Sequence, residues 1–368
     1  MTKPYIRVYT GWDVSNEKAM ILRGETEMYS SLRWGNCWST PGEFEVHLYP
    51  TKNNLSLCIS PFDVVELCKG KYPPRERFGI VLAVNYPKNS EGTAIVVRGK
   101  MLSALLGFRR VGEPKVSGTV SVPAVASALI KDTCHIANTA STKKRTFFGR
   151  ETVRVLNNSV VTAEYDYEYD LAKTALEWLE EICATEHVGF WSTYDFEDTI
   201  LAIGLEDFKA NPGMANVQMG DWASVSVTKS IDSAVNRVVN VAENSTNFAQ
   251  EIVVKGSRKG SRGTSEDIYS IEAPYLRSIS TYNHFGGYEG DNDVESVEPE
   301  MSCGPYVYIR DYAVGDVCGV RVPQMGISAE LPITSVTEVW EESYSVDVTF
   351  GEKQKGVFKK LKKEIKRR

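Results

Sequence analysis

Residues 305–351, PYVYIRDYAVGDVCGVRVPQMGISAELPITSVTEVWEESYSVDVTFG, restrict the possible folds more than any other stretch of the chain. Val307, Ile309, Val317, Val320 and Val322 fall in short β-rich runs, punctuated by Gly315-Asp316 and Gly326. From Leu331 the apolar residues Ile333, Val336 and Val339 lead into Tyr344, Val346, Val348 and Phe350. Alternate apolar spacing with β-branched and aromatic residues is the pattern of half-buried strands. The D-Y-x-x-G-D turn between these runs holds two acids and a glycine, with no adjacent histidine, lysine or nucleophile. It reads as a device that orders a corner between strands, not as a reaction centre.

The rest of the chain extends this pattern. Residues 1–115 are β-rich: Ile6 to Tyr9 and Phe44 to Leu48 alternate, Ile80 to Val84 is a continuous apolar run, and Pro41-Gly42, Pro73-Pro74 and Asn89 to Gly92 supply turns. Lys100 to Leu106 is apolar enough for one or two helical turns after a strand. In residues 116–215 the period changes. Val125, Ala126, Leu129 and Ile130 fit a helix face, with Ser121 as N-cap and Pro123 in the first turn. Leu171, Ala175, Trp178, Leu179 and Ile182 form one apolar stripe, which predicts a helix capped by Asp170 and stopped by Gly189. Phe190 to Leu205 reads as a hairpin, so this unit is α+β. Residues 216–351 return to β, with a basic Gly-rich loop near residue 260 and an acidic Gly-rich stretch at 286–300. Arg258, Lys259 and Arg262 read as a solvated loop tip, the alternative being a phosphate-binding patch.

Composition narrows the function. A chain of 368 residues has room for two to four units at ~100–200 residues per domain. No run of about 18 apolar residues is present to span a membrane, and the N-terminus lacks the apolar core of a secretory signal. Seven cysteines without a C-x-x-C pair read as buried free thiols in a reducing compartment; Cys134-His135 and the Cys183–His187 spacing are the metal-ligand alternatives. Residues 352–368 hold nine Lys/Arg against two acids, a net of +7. The body, 1–351, holds 33 Lys/Arg against 46 acids, a net of −13. So acidic a body is a poor nucleic-acid binder and suits a conduit along which DNA slides without sticking.

Catalytic signatures do not emerge. The chain has no GxSxG elbow, no phosphate-binding P-loop and no HExxH, and its four histidines (47, 135, 187, 284) stand apart. Glu164, Asp166 and Glu168 alternate with tyrosines, as in sugar-binding clefts and as in surface strands; two carboxyls ~5–9.5 Å apart are what a glycosidase needs. Glu251, Asp267, Asp291 and Asp293 lack the order of a calcium loop. The expectation is a non-enzyme with no catalytic residue, no cofactor and no metal.

Three blocks resemble one known family, the tail-hub (baseplate hub) proteins of siphophages, itself similar to the hub of contractile phage tails. The first is W-x-x-P-G-E-F-E-V-H-L at 38–48, containing Pro41, Gly42, Glu43 and Phe44. The second is the strand-to-helix passage 94–107, AIVVRGKMLSALLG, containing Gly99. The third is the turn of Asp311, Tyr312, Gly315 and Asp316 with the G-I-x-A-E-x-x-I-T-x-V-x-E-V run that follows. The blocks lie in family order, with 244–300 outside the match. The resemblance implies two tail-tube-like β-barrels, at 1–115 and 216–351, with an α+β domain at 116–215 between them and a basic tail at 352–368. It implies a homotrimeric ring in the virion tail tip that joins a six-fold tube to a three-fold tip, with a lumen through which DNA passes transiently. Partners would be the tail tube or distal tail protein and a tip or fibre protein. The last would be met by the tail, where Phe358, Leu361 and Ile365 share one apolar face. A solvated tail and a membrane-surface helix are the alternatives for that peptide, without stable membrane insertion. Synthesis would occur in the host bacterial cytoplasm, and any cell-wall cutting would belong to another protein. Two other readings stay open: a glycan-binding or glycan-cleaving tail protein, and the hub of a headless phage-tail-like particle.

Overall fold

The computed structural model describes residues 3–10, 20–70, 73–86, 94–108, 115–134, 153–168, 173–196, 200–214, 217–218, 224–226, 237–241, 248–253, 278–282, 300–302, 306–322 and 327–351. The fold is mostly β with a smaller helical share, and it divides into two compact units. The first comprises 1–225 and 300–350; the second comprises 226–299 and 351–368.

The first unit opens with β1 (Tyr5–Thr10), β2 (Ile21–Thr26), β3 (Tyr29–Cys37) and β4 (Glu43–Leu48), then the short helix α1 (Lys52–Ser56). Next come β5 (Val64–Cys68), β6 (Phe78–Asn85), β7 (Ile95–Met101) and the 3-10 run Leu102–Phe108. An α+β part follows: β8 (Lys115–Ser121), α2 (Val122–Cys134), β9 (Val153–Asn158), β10 (Thr162–Glu168), α3 (Ala175–Thr185), β11 (Val188–Asp195) and β12 (Ile200–Asp207). The short strands β13 (Lys209–Ala210), β14 (Val217–Gln218) and β15 (Ser224–Ser226) lead to the second unit, described through β16 (Arg237–Val241), β17 (Phe248–Val253) and β18 (Ser278–Tyr282). There β16 runs antiparallel to β17 and parallel to β18. The chain then returns through β19 (Glu300–Ser302), β20 (Asp316–Val322), β21 (Ile327–Trp340) and β22 (Tyr344–Phe350).

One sheet runs in the order β19-β22-β21-β3-β4-β7-β6-β5-β1-β2, and β20 with β13 and β14 branches from β21. Among the described residues no pairing closes this path into a barrel. Its centre joins the two ends of the sequence: β21 lies antiparallel to β3, with Val336 opposite Asn36 and Trp340 opposite Leu32. Ile6 and Val8 of β1, Leu32 and Trp34 of β3, Phe44 and Val46 of β4, Val65 and Leu67 of β5 and Val97 of β7 share one core with Trp340. Strands that are neighbours along one sheet can meet in one core only if the sheet curls over it.

The opposite face of β5 and β6 is also buried. Val64, Phe78 and Ile80 turn away from that core and pack with Leu102, Leu105, α2, α3 and the sheet β11-β12-β9. Burial on both faces accounts for the apolar run only as far as Ile80 and Val81; Leu82 and Ala83, which continue it, are exposed. The α2 start follows expectation: Ala124 N–H donates to Ser121 Oγ at 3.3 Å. The α3 start differs. Thr174, not Asp170, is the N-cap, and Thr174 and Glu177 form a reciprocal capping box. Gly189 does not stop that helix either. It lies inside β11, where a Cβ would sit 2.5 Å from the Trp38 ring. Two further corrections concern the C-terminal block and the thiols. Residues 306–315 form a turn, and regular strand begins only at Asp316. Cys183 and Cys318 are buried thiols as expected, but Cys58 is exposed.

Candidate functional site

The sequence motifs come together at two corners of the first unit. At one, Phe44 stacks on Trp34 with ring centroids 5.0 Å apart. Its edge fills a slot whose sides are Gly79 and Gly99, where a Cβ would lie 2.4 and 2.5 Å from the Phe44 ring. Gly42 lets the chain cross β3, since a Cβ there would meet Gly35 O at 1.9 Å, and its carbonyl accepts from Met101 N. Glu43 points outward and pairs with Lys100 at 3.0 Å, and Pro41 is buried beside it. Pro41, Gly42, Phe44 and Gly99 therefore serve strand packing, while Glu43 stays at the surface.

At the other corner the D-Y-x-x-G-D turn hydrogen-bonds to itself. The Asp311 carboxylate accepts from Val307 N at 2.7 Å and from the Arg310 guanidinium, which together hold it below its usual range. The Asp316 carboxylate accepts from Ala313 N at 2.9 Å and from Asn211 Nδ2 at 2.8 Å; Asn211 also donates to Asp311 O. Tyr312 is buried against Tyr308. Gly315 has φ +94°, and a Cβ there would lie 2.0 Å from the Trp38 ring. Trp38, stacked on Phe208 at 4.4 Å, is thus the post against which Gly189 of β11 and Gly315 of the turn both close.

A third locus was missed in the sequence. Residues 69–70 and 73–77, between β5 and β6, strap other elements to the sheet. Lys69, on a buried side chain, forms an ion pair with the fully buried Glu338 of β21. The rings of Trp340 and Tyr344 lie 5.5 Å from its ammonium, and Tyr344 OH donates to Glu338 Oε1 at 2.7 Å. Arg75 pairs with Glu206 of β12 between the Trp38 and Trp191 rings. Glu76 is fully buried; Ser192 of β11 donates to its Oε1 through both N–H and Oγ–H at 2.8 Å, and Ser103 N–H donates to Ser192 Oγ at 3.0 Å. The Glu76 backbone donates to Asn36 Oδ1 at 3.1 Å and accepts from Trp34 Nε1 at 2.7 Å. Burial pushes the Glu76 carboxyl up to about 7 and raises Glu338 despite the neighbouring Lys69.

Beside this strap an open depression of about 290 Å³ is lined by Tyr5, Arg7, Glu66, Cys68, Lys69 and Arg77. Glu66 is buried there between the two arginines and accepts from Tyr9 OH at 2.6 Å. His47 sits on β4 against Glu45, 2.6 Å away. Among the described residues no group of acids, histidines and cysteines is placed to hold a metal, and no helix is long and apolar enough to cross a membrane. Glu164, Asp166 and Glu168 lie on β10, paired antiparallel with β8, but their side chains fall outside the described part. So do the side chains of Glu251, Asp267, Asp291 and Asp293. The side chain of Cys134 is likewise outside it, as are the residues His135, Arg258, Lys259, Arg262, Phe358, Leu361 and Ile365.

No family model matches the chain, and no curated protein sequence matches it. Solved structures do match. The 43 kDa tail protein of prophage MuSo2 from Shewanella oneidensis aligns at TM-score 0.57 and 14% identity, covering 94% of this chain and 95% of its own. The tail protein from Neisseria meningitidis MC58 aligns at TM-score 0.57 and 12% identity, covering 96% and 97%. The chain shares the fold of phage tail proteins. A chain of the Francisella PdpA–VgrG complex, half-lidded, also aligns at TM-score 0.53 and 9% identity, covering 96% of this chain and 59% of that one. Within this tail-protein fold, all three loci lie in the first unit, and the two motif corners and the strap converge on β3 and its continuation through Trp38.

Proposed function

We propose that the chain is a structural tail-hub protein: a homotrimeric ring at the tail tip that extends or caps the tube, joins six-fold tube to three-fold tip and leaves a lumen for DNA. The observation that carries this reading is the fold match to tail proteins along nearly the whole of both chains. The motif corners support it, since the residues that carry the family resemblance serve packing and turn geometry. In this reading the modules at 1–115 and 216–351 flank the α+β part at 116–215. The pairing of β21 along β3 is what two adjoining modules that share a wall require. The acidic balance of residues 1–351 suits a lumen that repels the DNA backbone. The role is mechanical, exercised through shape, interface and lumen charge, in a ring of heterologous contacts. The distal tail protein or tube and a tip or fibre protein are its neighbours, the latter reached through 352–368.

Light scattering of the purified chain with negative-stain images tests it. A three-fold ring with a central hole is the expected result. A chain that remains monomeric even when mixed with tail tubes would reject it. A second reading, the hub of a headless phage-tail-like particle, draws support from the VgrG-containing neighbour. Packaged DNA in the particles that contain the chain separates the two.

A further inference from the structure

We propose that Glu76 is a proton-controlled catch: protonated, it fastens β11 and the Leu102–Phe108 run to the N-terminal sheet, and losing the proton loosens both. The inference is independent of the hub reading and rests on how the site is built. Glu76 is 1% exposed, and among the described residues it has no ion pair. The two flanking cations are engaged elsewhere: Arg75 pairs with Glu206 between two tryptophan rings, and Arg77 pairs with Glu66. The carboxyl is held instead by a neutral chain, Ser103 N–H to Ser192 Oγ and Ser192 N–H and Oγ–H to Glu76 Oε1. These bonds join three elements that no regular ladder connects: the strap, the run after β7 and β11. A negative charge left in that position is desolvated without a counter-ion in contact, which favours any opening that admits water.

The groups that face Glu76 leave it in control of the near-neutral range. Arg75 on its own segment stays charged. Burial pushes Cys37 of β3 up to about 11 and raises Tyr308 well above its ordinary range, so both stay neutral. Ser192 of β11 and Ser103 do not titrate. Glu206 of β12 is paired with Arg75; Glu338 of β21, whose carboxyl is also raised by burial, is paired with Lys69 at the far end of the strap and keeps its own response in the Glu76→Gln variant. The sign follows from the burial. The carboxyl is raised from 4.5 to about 7 in the closed state, so between those values the closed state keeps a proton that the opened state releases. Stability of the junction is greatest at the acid end and falls as pH rises toward 7. Opening becomes about ten-fold more favourable per pH unit across that window and levels off above it, an overall change on the order of 300-fold.

Hydrogen–deuterium exchange of the full chain from pH 5 to 8.5, corrected for the intrinsic pH dependence of exchange, reads this directly. In the wild type, peptides spanning 102–108 and 188–195 should open progressively toward pH 7 and then plateau. In Glu76→Gln, which keeps the acceptor oxygen and removes the charge, they should be flat. An identical pH profile in the two proteins overturns the proposal. Should the variant not fold, the carbon-13 carboxyl shift of Glu76 in the wild type decides. A midpoint near 7 supports the catch, and a midpoint below 5 overturns it.

Discussion

Replacing Lys69 by methionine keeps the aliphatic stem and removes the charge that accompanies Glu338 into the interior. Both side chains are within 5% of complete burial, so neither charge can be rescued by solvent without opening the strand. Removing one member of a buried pair typically costs about 3–5 kcal/mol. Here the lower end applies, because the Glu338 carboxyl is already raised and can take up a proton. The expected loss for Lys69→Met is about 3 kcal/mol at pH 7, and Glu338→Leu, which strands the ammonium among Trp340, Tyr344 and Tyr308, should lose a similar amount. The double variant replaces a desolvated pair by apolar contacts and costs mainly the Tyr344 hydroxyl its acceptor, about 1–3 kcal/mol. A coupling of about 3–5 kcal/mol is therefore expected in the cycle. Urea unfolding followed by tryptophan fluorescence is the assay, with the Trp340 ring 5.5 Å from the ammonium as local reporter. A loss under about 1 kcal/mol for Lys69→Met, or losses that simply add in the double variant, would refute a desolvated pair.

Gly315→Ala forces a side chain into a left-handed backbone position and against Trp38, and should lower stability by about 3 kcal/mol in thermal or urea unfolding. Gly99→Ala meets Ile80 O at 2.0 Å and the Phe44 ring, so the altered variant should also lose the near-ultraviolet circular dichroism of the Trp34–Phe44 stack. Thr174→Ala removes one arm of the capping box on α3 and should cost about 1 kcal/mol by calorimetry, with Thr174→Ser restoring most of it. Deleting Lys353 to Arg368 should leave the ring assembled while the tip or fibre protein is lost from particles. Unchanged particle composition by mass spectrometry would reject a docking role for that segment.

The alternation in 331–350, the strand at 44–48 and the hairpin around residue 196 were legible because period-2 apolar spacing reports burial of one face directly. Helix α3 was legible as an element but misplaced at its start, because Leu171 lies in phase with the apolar stripe while the cap is chosen by local bonds between Thr174 and Glu177. Gly189 was read through its neighbours in sequence, whereas its reason is Trp38, some 150 positions away. The strap at 69–77 was hidden for the same cause: a proline pair among charges looks like a solvated turn until its partners at 192, 206 and 338 are known. One signal was present. Glu338 occupies the same strand parity as Val336 and Trp340, and a charge on an inward-facing position announces a buried partner.

The seating of β21 along β3 also sets the order in which the chain can be made. Trp34 cannot acquire its last neighbouring strand until Glu338 has left the ribosome, some 300 residues later. Until then the nascent chain carries β3 as a bare edge, with hydrogen-bonding groups open to any strand it meets. Completion of the first unit is thus a late, long-range event that follows synthesis of residues 226–299 of the second, and a chain truncated before β21 is left with the exposed edge of an unfinished sheet.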